Sequence, residues 1–353
     1  MKKILATILI SVLVLSFVTM TACKKEEEKP GSKLKVVLYL NGTLGDKSFF
    51  DSANRGIEMA IQDFGIEGKT IEGGNDPSRW EPDLEQLCQG DWDIIIAGTW
   101  QLQESLEKLA PKYPDKKFFT YDTSVDYSKG NLGNIYSILY KQNESSFLVG
   151  ALAALITTSN MPLANPEKII GFLGGMDIPV INDFKVGYIQ GAKYIDPEVQ
   201  VLVSYAASYT DPAKGKELAL AQYNQGADIS FNVAGETGLG LLDAAKEMKK
   251  YAIGVDSDQY LMFKDSDPEK ASYIVTSMMK NVDKSIHRAI KLHIEGKLPY
   301  GQAEALGIEE GGVGVADNEN YRKVVPEEFR NKIKELEEKI LNGEIVVETA
   351  FGE

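Results

Sequence analysis

The chain has 353 residues, 43% of them hydrophobic and 25% charged, which is the composition of a folded protein and a length that suits two domains. Its net charge of −14 leaves no concentration of Lys and Arg to neutralise phosphates, which argues against a nucleic-acid partner. Two Cys and two His are too few for a zinc cluster or a disulfide framework, so no metal and no cofactor are expected.

At the N-terminus, Lys2 and Lys3 precede a 15-residue apolar run, Ile4 to Val18, and Thr19-Met20-Thr21-Ala22 leads into Cys23. A basic start, an apolar core and small residues before a cysteine read as a lipoprotein signal over residues 1–22, with the Cys23 thiol lipidated. Residues 23–33, rich in Lys and Glu with a Pro and a Gly, read as a solvated tether. The expected location is the membrane surface facing away from the cytoplasm.

From Leu34 onward, short β-branched runs alternate with helical stretches. The runs are Leu34–Leu40, Asp93–Ala97, Lys117–Tyr121, Lys168–Leu173, Val199–Tyr205, Asp228–Val233, Tyr251–Val255 and Ala271–Thr276. Runs this apolar, with helices between them, predict an α/β fold with parallel strands covered on both faces. The pattern also repeats. KVVLYLNGTLGDKSFFDSANRG resembles KIIGFLGGMDIPVINDFKVGYIQG, and DIIIAGTWQLQESLEKLA resembles DISFNVAGETGLGLLDAAKEM. Two similar doubly wound halves follow: residues 34–145 with a return segment at about 273–310, and residues 146–272 with about 311–353. His287 and His293, six positions apart, fall on different faces of a helix and are expected in solvent.

Ligands of open parallel sheets bind beyond the carboxyl ends of the strands, so the residues there are the candidates. Phe49 and Phe50 follow the first strand, and adjacent positions diverge at a helix start, so at most one of them is expected to face the cleft. Phe231, near the end of DISFNV, could supply a ring from the other half and sandwich a planar group. Asp122 and Asp256 each come directly after an apolar strand, where a buried carboxylate requires a donor. Lys280 closes SYIVTSMMK and could donate to a ligand oxygen. The AGETGLG stretch permits close backbone approach before a helix, but lacks the Lys-Ser/Thr of a P-loop and does not match G-x-G-x-x-G.

NGTLGDKSFFDSA, GFLGGMDIP, FNVAGETGLG, IGVDSDQ and TSMMKNVD together resemble the basic membrane protein family, lipoproteins that serve as substrate-binding proteins of ABC transporters, several for purine nucleosides. The resemblance runs from about Lys33 to the C-terminus. It implies a type 1 periplasmic binding protein fold, two hinged lobes closing on a nucleoside, an ABC permease and ATPase as partners, and a monomer. By motif it assigns Phe49 and Phe231 to the stacking rings, Asp122 to the base, and Asp256 and Lys280 to the ribose, with Gly235 against the sugar. Asn41 stands in a rewritten first loop as its candidate polar contact. Asn182 and Asp183 stand where the family often carries basic residues, and Phe50 where it usually has Asn, so ligand preference there is expected to differ.

Two other functions fit the same fold. One is binding of a different planar ligand such as a flavin. The other is nucleoside processing, for which Asp122 and Asp256 would be the paired carboxylates, although no nucleophile–base constellation accompanies them.

Overall fold

The computed structural model describes residues 33–351, so the signal segment, Cys23 and nearly all of the tether lie outside the described residues. Two six-stranded sheets carry the fold, both within the compact unit Leu34–Glu353. The first holds β1 (Lys35–Leu40), β2 (Glu67–Glu72), β3 (Ile94–Ala97), β4 (Lys117–Tyr121), β5 (Ile135–Tyr140) and β11 (Gln302–Leu306), in the order β11-β5-β4-β3-β1-β2. The second holds β6 (Ile169–Gly174), β7 (Gln200–Tyr205), β8 (Ala227–Val233), β9 (Tyr251–Asp256), β10 (Ile274–Lys280) and β12 (Val313–Val315), in the order β12-β10-β9-β8-β6-β7. All pairings are parallel except β10 with β12. Both sheets reverse strand order beside their first strand, β1 in one and β6 in the other, so the echo in the sequence is an echo in topology.

The interior strands β3, β4 and β8 are buried along almost their whole length, which is why they read as unbroken apolar runs. β2 (EGKTIE) was not legible. It lies at the sheet edge, where its exposed positions are polar. β5 was missed for another reason: only a short turn, Tyr127–Lys129, and no helix separates it from β4.

The last predicted run needs correction. Ala271–Tyr273 belongs to the helix Pro268–Tyr273, because Asp267 caps it by accepting from the Lys270 N–H and Pro268 starts it. The strand begins at Ile274 and pairs with β9, so residues 274–280 belong to the second sheet, and the return to the first sheet starts only after Lys280. The proposed boundary at 145/146 falls inside the helix Gln142–Thr157.

That helix is buried at nearly every position, and it packs against the helix Pro179–Ile195 of the second lobe. The contact runs backbone to backbone. A Cβ on Gly150 would lie 2.1 Å from the Tyr188 carbonyl oxygen, and one on Gly191 would lie 1.9 Å from that of Phe147. Glycine is required there by space, not by φ.

Candidate functional site

The carboxyl ends of both sheets face one cavity of about 290 Å³. At its rim three strands turn out of their sheets through left-handed backbone: Asp122 after β4 has φ 60°, Gly235 after β8 has φ 55°, and Asp256 ending β9 has φ 61°. Asp tolerates this region better than most residues, and such conformations concentrate at ligand sites. The turn aims both carboxylates into the cavity.

Asp122 pairs with Lys280 at the end of β10, so an ion pair joins the two sheets. Lys280 is only 2% exposed. Its ammonium sits 4.8 Å from the Phe184 ring centre, 5.3 Å from Tyr140 and 5.7 Å from Phe49, an aromatic surround that stabilises a cation kept from water. Burial pushes the Asp122 carboxyl above its ordinary range, against the pull of Lys280. A second bridge runs from the Ser48 hydroxyl to Asp256 Oδ2 at 2.5 Å. Burial pushes Asp256 up to about 6, opposed by Lys280 and by the Ser48 hydrogen bond. Beside it, Arg55 donates to the Ser257 hydroxyl at 2.8 Å.

The opening loop is held by Asp46, whose carboxylate accepts from the backbone N–H of Ser48, Phe50 and Asp51 at 3.0, 2.8 and 3.1 Å. It thereby starts the helix Phe49–Phe64. Both phenylalanines line the cavity, not one. Phe49 leans on Tyr121 at 5.4 Å between ring centres and meets Phe50 edge-on at 5.5 Å.

Six of the eight candidate ligand residues line this cavity: Asn41, Phe49, Asp122, Gly235, Asp256 and Lys280. Asn41 has a second task there. Its amide donates to Thr99 Oγ1 at 3.0 Å and Gln101 Oε1 at 2.9 Å, holding the loop that carries Trp100.

Phe231 is a correction. It lies two residues short of the end of β8, below the rim, fully buried against Phe172, Phe184 and Tyr188. It backs the wall and does not form it. Asn182 is the other correction. On the helix Pro179–Ile195, Val180, Ile181 and Phe184 share the cavity face, and one step of about 100° turns Asn182 away. Its amide donates to Asp177 at 2.9 Å and its carbonyl accepts from Tyr205. Asp183 faces elsewhere, accepting from Gln142 at 2.7 Å and from Thr349 at 2.6 Å. The histidines are half-buried, not solvated: His287 meets Asp63 at 2.9 Å and His293 meets the Tyr300 hydroxyl at 2.8 Å.

Tyr209, Phe184, Trp80 and Trp100 line the cavity and were not foreseen. Tyr209 had a local signal: like Phe49, it stands between a strand and a helix start, with Asp211 as the cap. Its ring lies where a Cβ on Gly175 would be, 2.4 Å away, which explains the third glycine of GFLGGMD. The loop is tied to the Gly235 turn by the Thr237 N–H donating to the Tyr209 carbonyl at 3.0 Å.

Residues 33–350 match the Bmp family, described as ABC transporter substrate-binding protein PnrA-like. The chain belongs to this family. It is an ABC transporter substrate-binding protein, in a family of solute binders and not enzymes. Over 368 residues it is 27% identical to an ABC transporter nucleoside-binding protein of Lactococcus lactis, covering 98% of this chain and 99% of that one. A lipoprotein of Pyrococcus furiosus is 30% identical over 393 residues, covering 99% and 94%. The crystal structure of an ABC transporter solute-binding protein from Aeropyrum pernix superposes with a TM-score of 0.78 at 28% identity, over 89% of this chain and 94% of that one. As in such proteins, the two-sheet fold of this Bmp member is the type 1 periplasmic binding fold.

Proposed function

We propose that this Bmp protein binds a purine nucleoside between its lobes and presents it to an ABC permease and ATPase, working as a monomer held to the membrane by lipid on Cys23. The observation that carries the ligand class is one cavity with two kinds of wall. Phe49 and Tyr209 offer flat surfaces, one from each lobe, while Asp122, Asp256 and Lys280 offer acceptors and a donor. A ring system with N–H groups and an attached vicinal diol satisfies both; a free sugar lacks the flat part, and a free base lacks the hydroxyls. The name of the Lactococcus relative supports the same class.

The anchor rests on the signal pattern before Cys23 and on the lipoprotein name of the Pyrococcus relative. Among the described residues no helix is long and apolar enough to cross a membrane. The mass of the mature N-terminal peptide tests it: an unmodified Cys23 removes the anchor.

Calorimetry with guanosine, inosine and adenosine, against ribose and the free bases, tests the ligand. Binding of at least one nucleoside far more tightly than of either half is the expected result. Failure of all three nucleosides refutes the reading.

A further inference from the structure

A second cavity of about 1000 Å³ adjoins the first, and the two share Trp100, Asp122 and Val180 as lining. Asp122 therefore stands at the junction, where the nucleoside reading puts the polar edge of the base. Beyond it, Leu139, Ile178, Ile340, Ile345 and Val347 make apolar walls.

Three of the polar side chains that line this cavity with them, Asp183, Asn143 and Glu144, are already occupied, while the buried Tyr140 hydroxyl has no partner among the described residues. Asp183 accepts from Gln142 at 2.7 Å, from the Thr349 hydroxyl at 2.6 Å and from the Ala350 N–H at 2.9 Å. Asn143 donates to the carbonyls of Val347 and Glu348 at 3.2 and 3.0 Å. Glu144 accepts from the Ile308 N–H at 2.9 Å. The bonds of Asp183 and Asn143 to residues 347–350 fasten the C-terminal segment across the second lobe, and that segment supplies one wall of the cavity. Its Asp and Asn partners have little left to offer a polar ligand, so the occupant this space favours is hydrocarbon.

We infer that the second cavity receives an apolar substituent carried on the base, so that the ligand class extends to purine nucleosides with a bulky hydrocarbon group on an exocyclic nitrogen. The inference rests on the nucleoside reading. The sugar stays with Asp256 and Lys280, the base edge meets Asp122, and the substituent passes between Trp100 and Val180 into the apolar space. Burying an aromatic ring there recovers the hydrophobic term that an unmodified nucleoside leaves unused.

The test is calorimetry on the mature chain with adenosine and N6-benzyladenosine, and with guanosine and N2-benzylguanosine, for the wild type and Ala305→Trp. Ala305 lines only the second cavity and is exposed, so a large ring there fills space without disturbing the core. The expected result is that the benzyl derivative of a nucleoside that binds does so at least as tightly as its parent. Ala305→Trp then weakens the derivative about tenfold or more and the parent less than about twofold. If that variant fails to fold by thermal melting, Ile345→Trp replaces it with the same expectation. A parent that binds while its derivative binds about tenfold weaker overturns this inference alone, as does equal weakening of both by the filled cavity. Failure of every parent nucleoside overturns the inference together with the reading beneath it.

Discussion

Two aromatic side chains of the second lobe separate binding from folding. Tyr209 stands in the cavity wall, and Phe231 stands behind it with no exposed surface. Tyr209→Ala should weaken nucleoside binding by roughly 1–3 kcal/mol, the worth of one base–aromatic stack, with little change in melting temperature. Phe231→Ala should instead cost about 3–5 kcal/mol of stability through the cavity it leaves, visible in denaturant unfolding. The reverse pattern would return the stacking role to Phe231. Asp256 poses a conflict of another kind. Its carboxyl is held at about 6 against an ordinary 3.8, so between these values the native protein keeps a proton that the unfolded chain releases. Stability from this group is complete below about pH 4 and is lost as pH rises through 6. Asp256→Asn should therefore stabilise the protein at neutral pH by up to about 3 kcal/mol while weakening the ligand, and it should flatten the pH dependence of melting between these values. Some slope should persist, because burial also raises Asp228 to about 6. A destabilised Asn variant at pH 7.5 would show that the charge is better compensated than its burial suggests.

At the scale of elements, the helices Gln142–Thr157 and Pro179–Ile195 form a close pair, and glycines make it possible. Gly191 lies mid-helix, where Ala has the better helix propensity by about 1 kcal/mol. Propensity predicts stabilisation by Gly191→Ala; packing predicts the opposite. The overlap with the Phe147 carbonyl is with backbone, which cannot swing aside, so the helices must separate. A net loss of roughly 1–3 kcal/mol is expected by chemical denaturation. Because Asn143 and Asp183 on these helices also hold the C-terminal segment, the same change should loosen residues 345–350 in hydrogen exchange.

For the whole molecule, bonds from one lobe to the other meet at the cavity: Asp122 with Lys280, Ser48 with Asp256, Arg55 with Ser257. A ligand that contacts both lobes is favoured by every conformation that keeps these ends together, and so shifts the population toward closure. Small-angle scattering should record a smaller radius of gyration at saturating nucleoside than without it. An unchanged radius at saturation would mean the lobes are already closed before binding, or do not hinge.

Much was legible from the chain alone, and for local reasons. Buried parallel strands announce themselves as apolar runs, and a carboxylate directly after such a run is placed at the sheet's end, so Asp122 and Asp256 needed no tertiary information. The repeat of strand, loop and helix was likewise enough for two lobes of one topology. What sequence could not settle is depth, phase and partnership. Phe231 and Val233 share a strand and a face, yet only the residue nearer the rim reaches the cavity. Phe184 and Asn182 share a helix and differ by half a turn. The edge strand β2 carries too few buried positions to read as a strand at all. Lys280 meets Asp122 across 158 positions, and the side of the cleft to which β10 belongs depends on its pairing with β9. Such outcomes are set by which surfaces are removed from water together, and that is a property of the assembled lobes, not of any stretch of the chain.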